Sequence, residues 1–266
     1  MKTIEEMIIY HTSKGMTIYQ AENYICQEII LNKISNSPMS NNVLIKGGVL
    51  MFNLTHNLRR TTTDLDFDFI RYDISDYSIK LFVDLLNKYD SQYKVTCNKI
   101  DTLHQEDYQG KRVWIIIYDK SKRIRFKMDI GIHTLLAIEQ KECCFYFDDD
   151  EEVTLKVNPP EQMVAEKIYS LAMHGAFSTR FKDVFDIYYL VNKNMVDKKI
   201  CKMCLELLAI KQAHGIKTIE DICEKVSLAF EDKQYIDNIK TSRDKWIDVD
   251  YKVAFDAILD FLYSIN

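Results

Sequence analysis

Three aspartates alternate with apolar residues in the stretch DLDFD, residues 64–68. Strict alternation predicts a half-buried strand over residues 63–70. Side chains alternate across a strand, so the three carboxylates share one face and the apolar side chains point towards the core. Carboxylates on one face repel one another and need cations or water, and Mg²⁺ is a hard cation that prefers oxygen ligands. A solvated strand face is the alternative interpretation, because a bare Asp-x-Asp pattern is common.

A pair of glycines comes shortly before the acidic strand. Lys46, Gly47 and Gly48 follow the apolar run 43–45, a predicted strand, and precede a predicted helix over about 49–57. A turn of this kind exposes backbone N–H groups at a helix N-terminus, which favours the binding of phosphate.

A third acid is predicted to lie on a neighbouring strand. Asp129 falls on the polar face of the alternating stretch 123–133. With Asp64 and Asp66 it would give three carboxylates from two strands beside a glycine turn, which suits two-metal phosphoryl or nucleotidyl transfer. One metal would hold a triphosphate and the other would activate the attacking hydroxyl, with Asp129 able to act as metal ligand and base.

The second half of the chain offers a cluster of charged residues on predicted helices. Lys167 lies in one helix, while Arg180, Lys182, Asp183 and Asp186 surround the start of the next. Lys182 and Asp186 are four residues apart and share a helix face. Surface ion pairs would account for the charged residues of either helix taken alone. Binding of a triphosphate would account for the charged residues of both helices together.

The pattern of the chain changes at Pro159. Before it, helical spacing alternates with β-rich runs; after it, the pattern is helical to the end. We therefore predict an α/β (α+β) fold, with a mixed sheet flanked by helices in residues 1–158 and a helical bundle in residues 159–266. The other predicted strands are 93–100, 113–120, 143–147 and 153–157, and the other predicted helices of the first half are 20–35 and 75–89.

Composition narrows the class of protein. The 266 residues are 47% hydrophobic and 28% charged, as in soluble globular proteins, which excludes disordered and low-complexity classes. The net charge of −5 excludes a globally basic surface but leaves room for a local basic patch. No run approaches about 18 apolar residues and no secretory signal is evident, so we expect no membrane span. The seven cysteines are then expected to be reduced thiols in the cytoplasm.

The stretch KGGVLMFNLTHNLRRTTTDLDFDF, residues 46–69, resembles the first motif of the AbiEii/AbiGii toxin family of nucleotidyltransferases. That family belongs to the DNA-polymerase-beta-like nucleotidyltransferase superfamily. Its members show a Gly-Gly turn, a helix, and then Arg-x-Ser/Thr-x-Asp-Leu/Ile-Asp-Phe, which Arg60 begins and Phe67 ends here. A proline, a helix with Glu-Lys, and Arg-x-Lys-Asp-x-x-Asp follow in the family as they do here, and the resemblance runs from about residue 43 to about residue 190.

The resemblance implies a role for each matching residue. Mg²⁺ would be held by Asp64, Asp66 and Asp129. The nucleotide would be bound by Lys46, Gly47, Gly48, Arg60, Thr62, Lys167, Lys182 and Asp183. Lys182 and Asp186 would match the lysine and acid of the last motif. The catalytic set would consist of these two residues, Lys167 and the three metal ligands. The chain departs from the superfamily where the usual Gly-Ser is Gly48-Val49.

The implied activity is transfer of a nucleoside monophosphate from an NTP to an acceptor hydroxyl, with release of pyrophosphate. The acceptor would be tRNA, another RNA, a protein or a small molecule. The family also implies a toxin of a toxin–antitoxin or phage-defence system, with a cognate antitoxin as partner. Two alternatives stay open: a kinase-like transfer of a terminal phosphate in the same pocket, and a non-catalytic nucleotide-binding or interaction protein.

Overall fold

The chain divides into two compact units. The sheet unit comprises Met1–Thr134 and Gln140–Asn158, and the helical unit comprises Leu135–Glu139 and Pro159–Asn266. The computed structural model describes residues 2–89, 92–105, 108–147, 152–211 and 215–266. Among the helices of these residues, none combines the length and the hydrophobicity that a membrane crossing requires.

A seven-stranded mixed sheet forms the centre of the sheet unit, in the order β3-β4-β5-β2-β1-β7-β6. Its strands are β1 (Val43–Lys46), β2 (Leu65–Phe69), β3 (Lys94–Gln105), β4 (Tyr108–Tyr118), β5 (Arg123–Ile132), β6 (Lys141–Tyr146) and β7 (Glu152–Val157). The pairs β2–β5 and β1–β7 are parallel, and the other neighbours are antiparallel. The helices of the unit, as far as it is described, are α1 (Ile4–Ser13), α2 (Ile18–Ser35), α3 (Gly47–Thr55) and α4 (Asp76–Leu86). The predicted mixed α/β architecture is confirmed.

The register of the sheet aligns charged residues across four strands. Asp66 of β2 lies opposite Lys46 of β1 on one side and opposite Asp129 of β5 on the other. Asp129 in turn lies opposite Arg112 of β4. Directly opposed residues project from the same face of a sheet, so this face carries a row of charges that reads positive, negative, negative, positive.

The reverse face of β2 is apolar and fixes that register. Leu65, Phe67 and Phe69 are fully buried, and the ring of Phe82 from α4 lies 5.8 Å from that of Phe67 and 5.2 Å from that of Phe69. A slip of one residue would turn the aspartates into this core and the aromatic rings out of it. The burial of the rings therefore holds the carboxylates on the opposite face.

The first helix of the helical unit, α5, begins at Pro160, directly after the first proline of the pair. Its helices are α5 (Pro160–His174), α6 (Phe181–Asn192), α7 (Lys198–Lys211), α8 (Ile219–Glu231), α9 (Lys233–Thr241) and α10 (Tyr251–Ile265). Helix α5 packs against α6, α7 and α8, and α10 packs against α6 and α8. The predicted helical character of this half is confirmed.

Two helices, α1 and α9, are not singled out by the sequence analysis. The apolar run of α1 is interrupted by acids, but Thr3 and Glu6 form a capping box that starts the helix. Helix α9 is short, and the side chain of Asp232 caps it by accepting a hydrogen bond from the backbone N–H of Tyr235 at 2.8 Å. Side-chain capping thus marks the start of both helices.

The packing of α4 on β2 gives the first prediction. Phe82→Ala should lower the free energy of unfolding by about 3–5 kcal/mol, because it opens a cavity beneath the acidic strand. Denaturant unfolding measures this change. Leu81→Ala on the same helix is the control, since Leu81 is 40% exposed and its loss should cost far less. Equal effects of the two variants would show that the ring cluster does not hold β2.

Candidate active site

Three carboxylates of the sheet unit converge on one point. Oxygen atoms of Asp64, Asp66 and Asp129 all lie within 4.8 Å of one another, and the three residues are half-buried. Asp66 and Asp129 face each other across the β2–β5 pairing, and Asp64 immediately precedes β2. The chain thus brings together the three acids that the sequence predicts as metal ligands.

Cations from β5 and β4 neutralise the two outer carboxylates. Nζ of Lys127 lies 2.8 Å from Oδ2 of Asp64, and Arg112 donates to both carboxylate oxygens of Asp129, at 2.9 and 2.8 Å. The hydroxyl of Thr62 also donates to Asp64, at 2.7 Å. Burial alone would raise the pKa of Asp64, but the hydrogen bonds from Lys127 and Thr62 outweigh it and hold that pKa below its ordinary value.

The central carboxylate, Asp66, is not neutralised in this way. Its carboxylate makes no hydrogen bond to any described residue, and its pKa is raised to about 7. Burial is the largest cause and the negative charge of Asp64 is the next, while Lys46 acts in the opposite direction. A cation shared by these carboxylates would remove the repulsion, and a set of carboxylate oxygens this close together is the donor set that Mg²⁺ prefers. The residues therefore fit a divalent metal.

The two glycines are required by the close approach of α3 to the acidic strand. Gly47 has a φ of +70°, and a β-carbon there would collide with the carboxylate of Asp66. A β-carbon on Gly48 would lie 2.6 Å from the β-carbon of Thr62. Because only glycine fits at both positions, the N-terminus of α3 lies directly against the acids.

The remaining predicted residues of the sheet unit surround this turn. Lys46 donates to Asp68 at 2.5 Å, which accounts for the buried third acid of the alternating stretch. Arg60 is buried in the short 3-10 turn Leu58–Arg60.

A separate cluster forms in the helical unit. Lys167 of α5 donates to Asp183 and lies 3.0 Å from Oδ2 of Asp186, both on α6. Asp186 is completely buried, and its other oxygen accepts a hydrogen bond from the indole N–H of Trp246 at 2.9 Å. Two carboxylates and an indole therefore fix the position of the Lys167 ammonium group.

Lys182 and Asp186 are four residues apart on α6 but have different partners. Lys182 is 40% exposed and lies 4.0 Å from Asp244, whereas Asp186 faces inwards to Lys167. Helical spacing places two residues on neighbouring positions but does not decide which of them turns to the core. Arg180, at the start of α6, is exposed and borders a shallow depression that Lys167 and Asp183 also line.

Sequence reasoning misses four residues that contact these clusters. Gln27 on α2 donates from its amide to the backbone carbonyls of Thr62 and Asp64, both at 3.0 Å, and so holds the segment leading into β2. The others are Arg112, Lys127 and Trp246. Lys127 alternates with apolar residues, a signal of the polar face, whereas Arg112 lies between Lys111 and Val113, and only the register places it opposite Asp129.

Comparison with known proteins gives a family match over most of the chain. Residues 29–262 match the family described as "Nucleotidyl transferase AbiEii toxin, Type IV TA system". No curated protein is significantly similar to the chain.

Three solved structures share a broad similarity with the chain. A candidate nucleotidyltransferase from H. pylori has a TM-score of 0.49 at 14% identity, covering 91% of this chain and 92% of that chain. JHP933 from Helicobacter pylori has a TM-score of 0.47 at 11% identity, covering 94% and 93%. An antigenic nucleotidyltransferase-like protein from Paracoccidioides brasiliensis has a TM-score of 0.40 at 16% identity, covering 71% and 90%.

The raised pKa of Asp66 gives a prediction about stability. An unfolded aspartate has a pKa near 3.9, so between about pH 4 and pH 7 the folded protein keeps a proton that the unfolded chain has lost. Stability should therefore fall as the pH rises through this window. Asp66→Asn should remove the loss and stabilise the metal-free protein at pH 8 by up to about 4 kcal/mol, because the pKa rises by about three units from about 3.9 to about 7 and each unit corresponds to about 1.4 kcal/mol.

Thermal unfolding in the presence of a chelator measures this effect. The advantage of Asp66→Asn should shrink as the pH falls towards 4. Asp64→Asn is the matched control and should not stabilise, because the pKa of Asp64 is lowered and the substitution removes its ion pair with Lys127. A destabilised Asp66→Asn variant at pH 8 would show that the central carboxylate is not under electrostatic strain.

The buried indole gives a second prediction. Trp246→Phe keeps an aromatic ring but removes the N–H donor to the buried Asp186, so it should cost about 1–3 kcal/mol of unfolding free energy. The same substitution at Trp114, whose N–H bonds the partly exposed Asp101 at 3.2 Å, is the control and should cost clearly less. Equal losses in denaturant unfolding would contradict a specific role for the Trp246 bond.

Proposed function

Because the chain belongs to the AbiEii nucleotidyl transferase toxin family, we propose that it transfers a nucleoside monophosphate from a Mg²⁺-bound NTP to an acceptor hydroxyl and releases pyrophosphate. The observation that carries the proposal is the convergence of Asp64, Asp66 and Asp129 beside a glycine turn. These residues would hold the metal. When bound, divalent ions there would neutralise the triphosphate and favour ionisation of the attacking hydroxyl.

Different residues of the sheet unit would bind the phosphates and the metal. The backbone N–H groups at Gly47 and Gly48 would hold phosphate oxygens at the N-terminus of α3. Thr62 already orients Asp64 through its hydroxyl. Both oxygens of Asp129 accept hydrogen bonds from Arg112, so Asp129 would act as a base only after Arg112 moves away. Its role as a metal ligand is the simpler part of the proposal.

The charged residues of the helical unit would bind the triphosphate. Lys167 is the strongest candidate, because Asp183 and Asp186 fix its ammonium group. We assign Lys182 the same task from its place in the family motif. In this proposal residues 1–158 form the catalytic domain, and the helical domain of residues 159–266 contributes to nucleotide binding.

The biological setting follows from the family alone. A type IV toxin–antitoxin system implies a cognate antitoxin, and a role in phage defence is part of the same proposal. We propose that the protein acts in the cytoplasm on a macromolecular acceptor. RNA, including tRNA, is the acceptor class to test first, and protein is the next.

The test is a transfer assay with NTP labelled in the α-phosphate and, in parallel, in the γ-phosphate. Label from the α-position should appear in RNA or protein only when Mg²⁺ is present. Asp64→Asn with Asp66→Asn should abolish transfer, and Lys167→Ala should reduce its rate by about 10²–10³, as the loss of one phosphate-stabilising donor does in other enzymes.

Lys198→Ala, an exposed change on α7, is the control and should leave the rate unchanged. Transfer of the γ-label alone would establish the kinase-like alternative instead. Binding of NTP without transfer of either label would favour the non-catalytic alternative. Full transfer by the Lys167→Ala variant would remove the helical unit from the catalytic set.

A further inference from the structure

The face of the sheet that carries the acids continues into a basic and aromatic surface. Along β5 and β4 the basic and aromatic residues that project to this face are Arg112, Trp114, Tyr118, Arg123, Arg125 and Lys127, here called the arginine–aromatic strip. Their neighbours Val113, Ile115 and Ile117 turn to the core and are fully buried. The strip itself is half-exposed or exposed. Its four cations stand out in a chain whose net charge is −5.

The charge on the strip changes along its length. Near the acids, Arg112 and Lys127 are engaged by Asp129 and Asp64. At the far end, Arg123 and Arg125 have no carboxylate partner among the described residues. The charge of Arg123 and Arg125 is therefore available to an external anion.

The far end of the strip also presents stacked planar groups. The guanidinium of Arg125 lies 4.3 Å from the ring centre of Trp114, and that of Arg123 lies 5.4 Å from that of Tyr118. Guanidinium planes and aromatic rings are the groups on which the bases of single-stranded nucleic acids stack. A carboxylate-bearing peptide would use the charges of this strip but not its planes.

The strip leads to the candidate metal site. Arg123, Arg125, Lys127 and Asp129 occupy alternate positions of one strand, so they lie in a line on one face. From Arg123 to Asp129 this line is about 20 Å long at the rise of a β-strand. A polyanion lying along it would reach the three carboxylates with its end.

We propose that the arginine–aromatic strip is the binding surface for a single-stranded RNA segment whose terminal hydroxyl is delivered to the acids. The proposal rests on the proposed nucleotidyl transfer for the last step, but binding to the strip can be measured without it. Arg123 and Arg125 contact the phosphates, and Trp114 and Tyr118 support the stacked bases. These four residues are binding residues and take no part in the chemistry.

The experiment measures binding to the full chain carrying Asp66→Asn, so that no transfer takes place. The probe is a fluorescent single-stranded RNA oligonucleotide, titrated by anisotropy over a range of salt concentrations without NTP. Adding Arg123→Gln and Arg125→Gln should weaken binding at least ten-fold. It should also reduce the slope of log affinity against log salt by about 1.4, at about 0.7 for each phosphate that the variant no longer neutralises.

Lys198→Gln with Lys199→Gln on α7 is the matched control, because it removes the same charge from an exposed site elsewhere. It should change neither the affinity nor the salt dependence. Both arginines and both lysines are exposed, so all variants should fold, and equal thermal midpoints verify this.

Polyglutamate of equal charge is the competitor that separates a nucleic acid from an acidic protein partner. Weak competition supports the proposal, whereas competition as strong as that of unlabelled RNA overturns it in favour of an acidic polypeptide. Undiminished RNA binding by the arginine variant, or no RNA binding by its parent, also overturns it. RNA binding through the strip without any transfer by the native protein would support this inference and refute the proposed function. Transfer to protein without RNA binding would refute this inference and support the proposed function.

Discussion

Repulsion between neighbouring carboxylates is the constraint on which the sheet unit depends. Asp64, Asp66 and Asp129 are held within 4.8 Å of one another in a half-buried site. Charges at such distances interact far more strongly in a protein than in water. The arrangement persists because the opposite face of β2 is apolar and fully buried, so the strand cannot rotate its acids apart without exposing Phe67 and Phe69. Apolar burial on one face thus stabilises an unfavourable arrangement of charge on the other.

The distribution of cations shows how far this repulsion is relieved. Lys127 and Arg112 bind the outer carboxylates, and Lys46 binds Asp68, whereas Asp66 has no direct hydrogen-bond partner among the described residues. Burial and the negative charge of Asp64 raise the pKa of Asp66, and Lys46 opposes them only in part. A site with complete internal neutralisation would have no electrostatic reason to take up a metal. Leaving the central acid without a direct partner among those residues makes an external cation the favourable way to complete the cluster.

The extent to which sequence predicts this molecule depends on the range of the interaction. Alternation in residues 63–70 and 123–133 predicts which side chains share a face, and the glycine pair predicts a close turn, because both are local properties. The pairing of β2 with β5 is not local. The sequence therefore indicates a meeting of Asp129 with Asp66 only through the place of Asp129 on the polar face of its strand. Arg112 lies on a third strand, and no spacing connects it to Asp129. Its part in the site becomes visible only through the register.

The helical unit shows the same limit over a longer distance. Spacing on α6 places Lys182 and Asp186 on one helix face, yet Asp186 turns inwards to Lys167 and to Trp246, sixty residues further along the chain. A completely buried carboxylate must be matched by donors from every side, because each unmet hydrogen bond costs about 1–3 kcal/mol. An indole from a distant loop supplies one of these donors. The requirement to satisfy a buried charge, rather than helical geometry, therefore decides which lysine is fixed in position. Through Trp246 and Asp186, the segment between α9 and α10 is connected to Lys167, the residue proposed to bind phosphate.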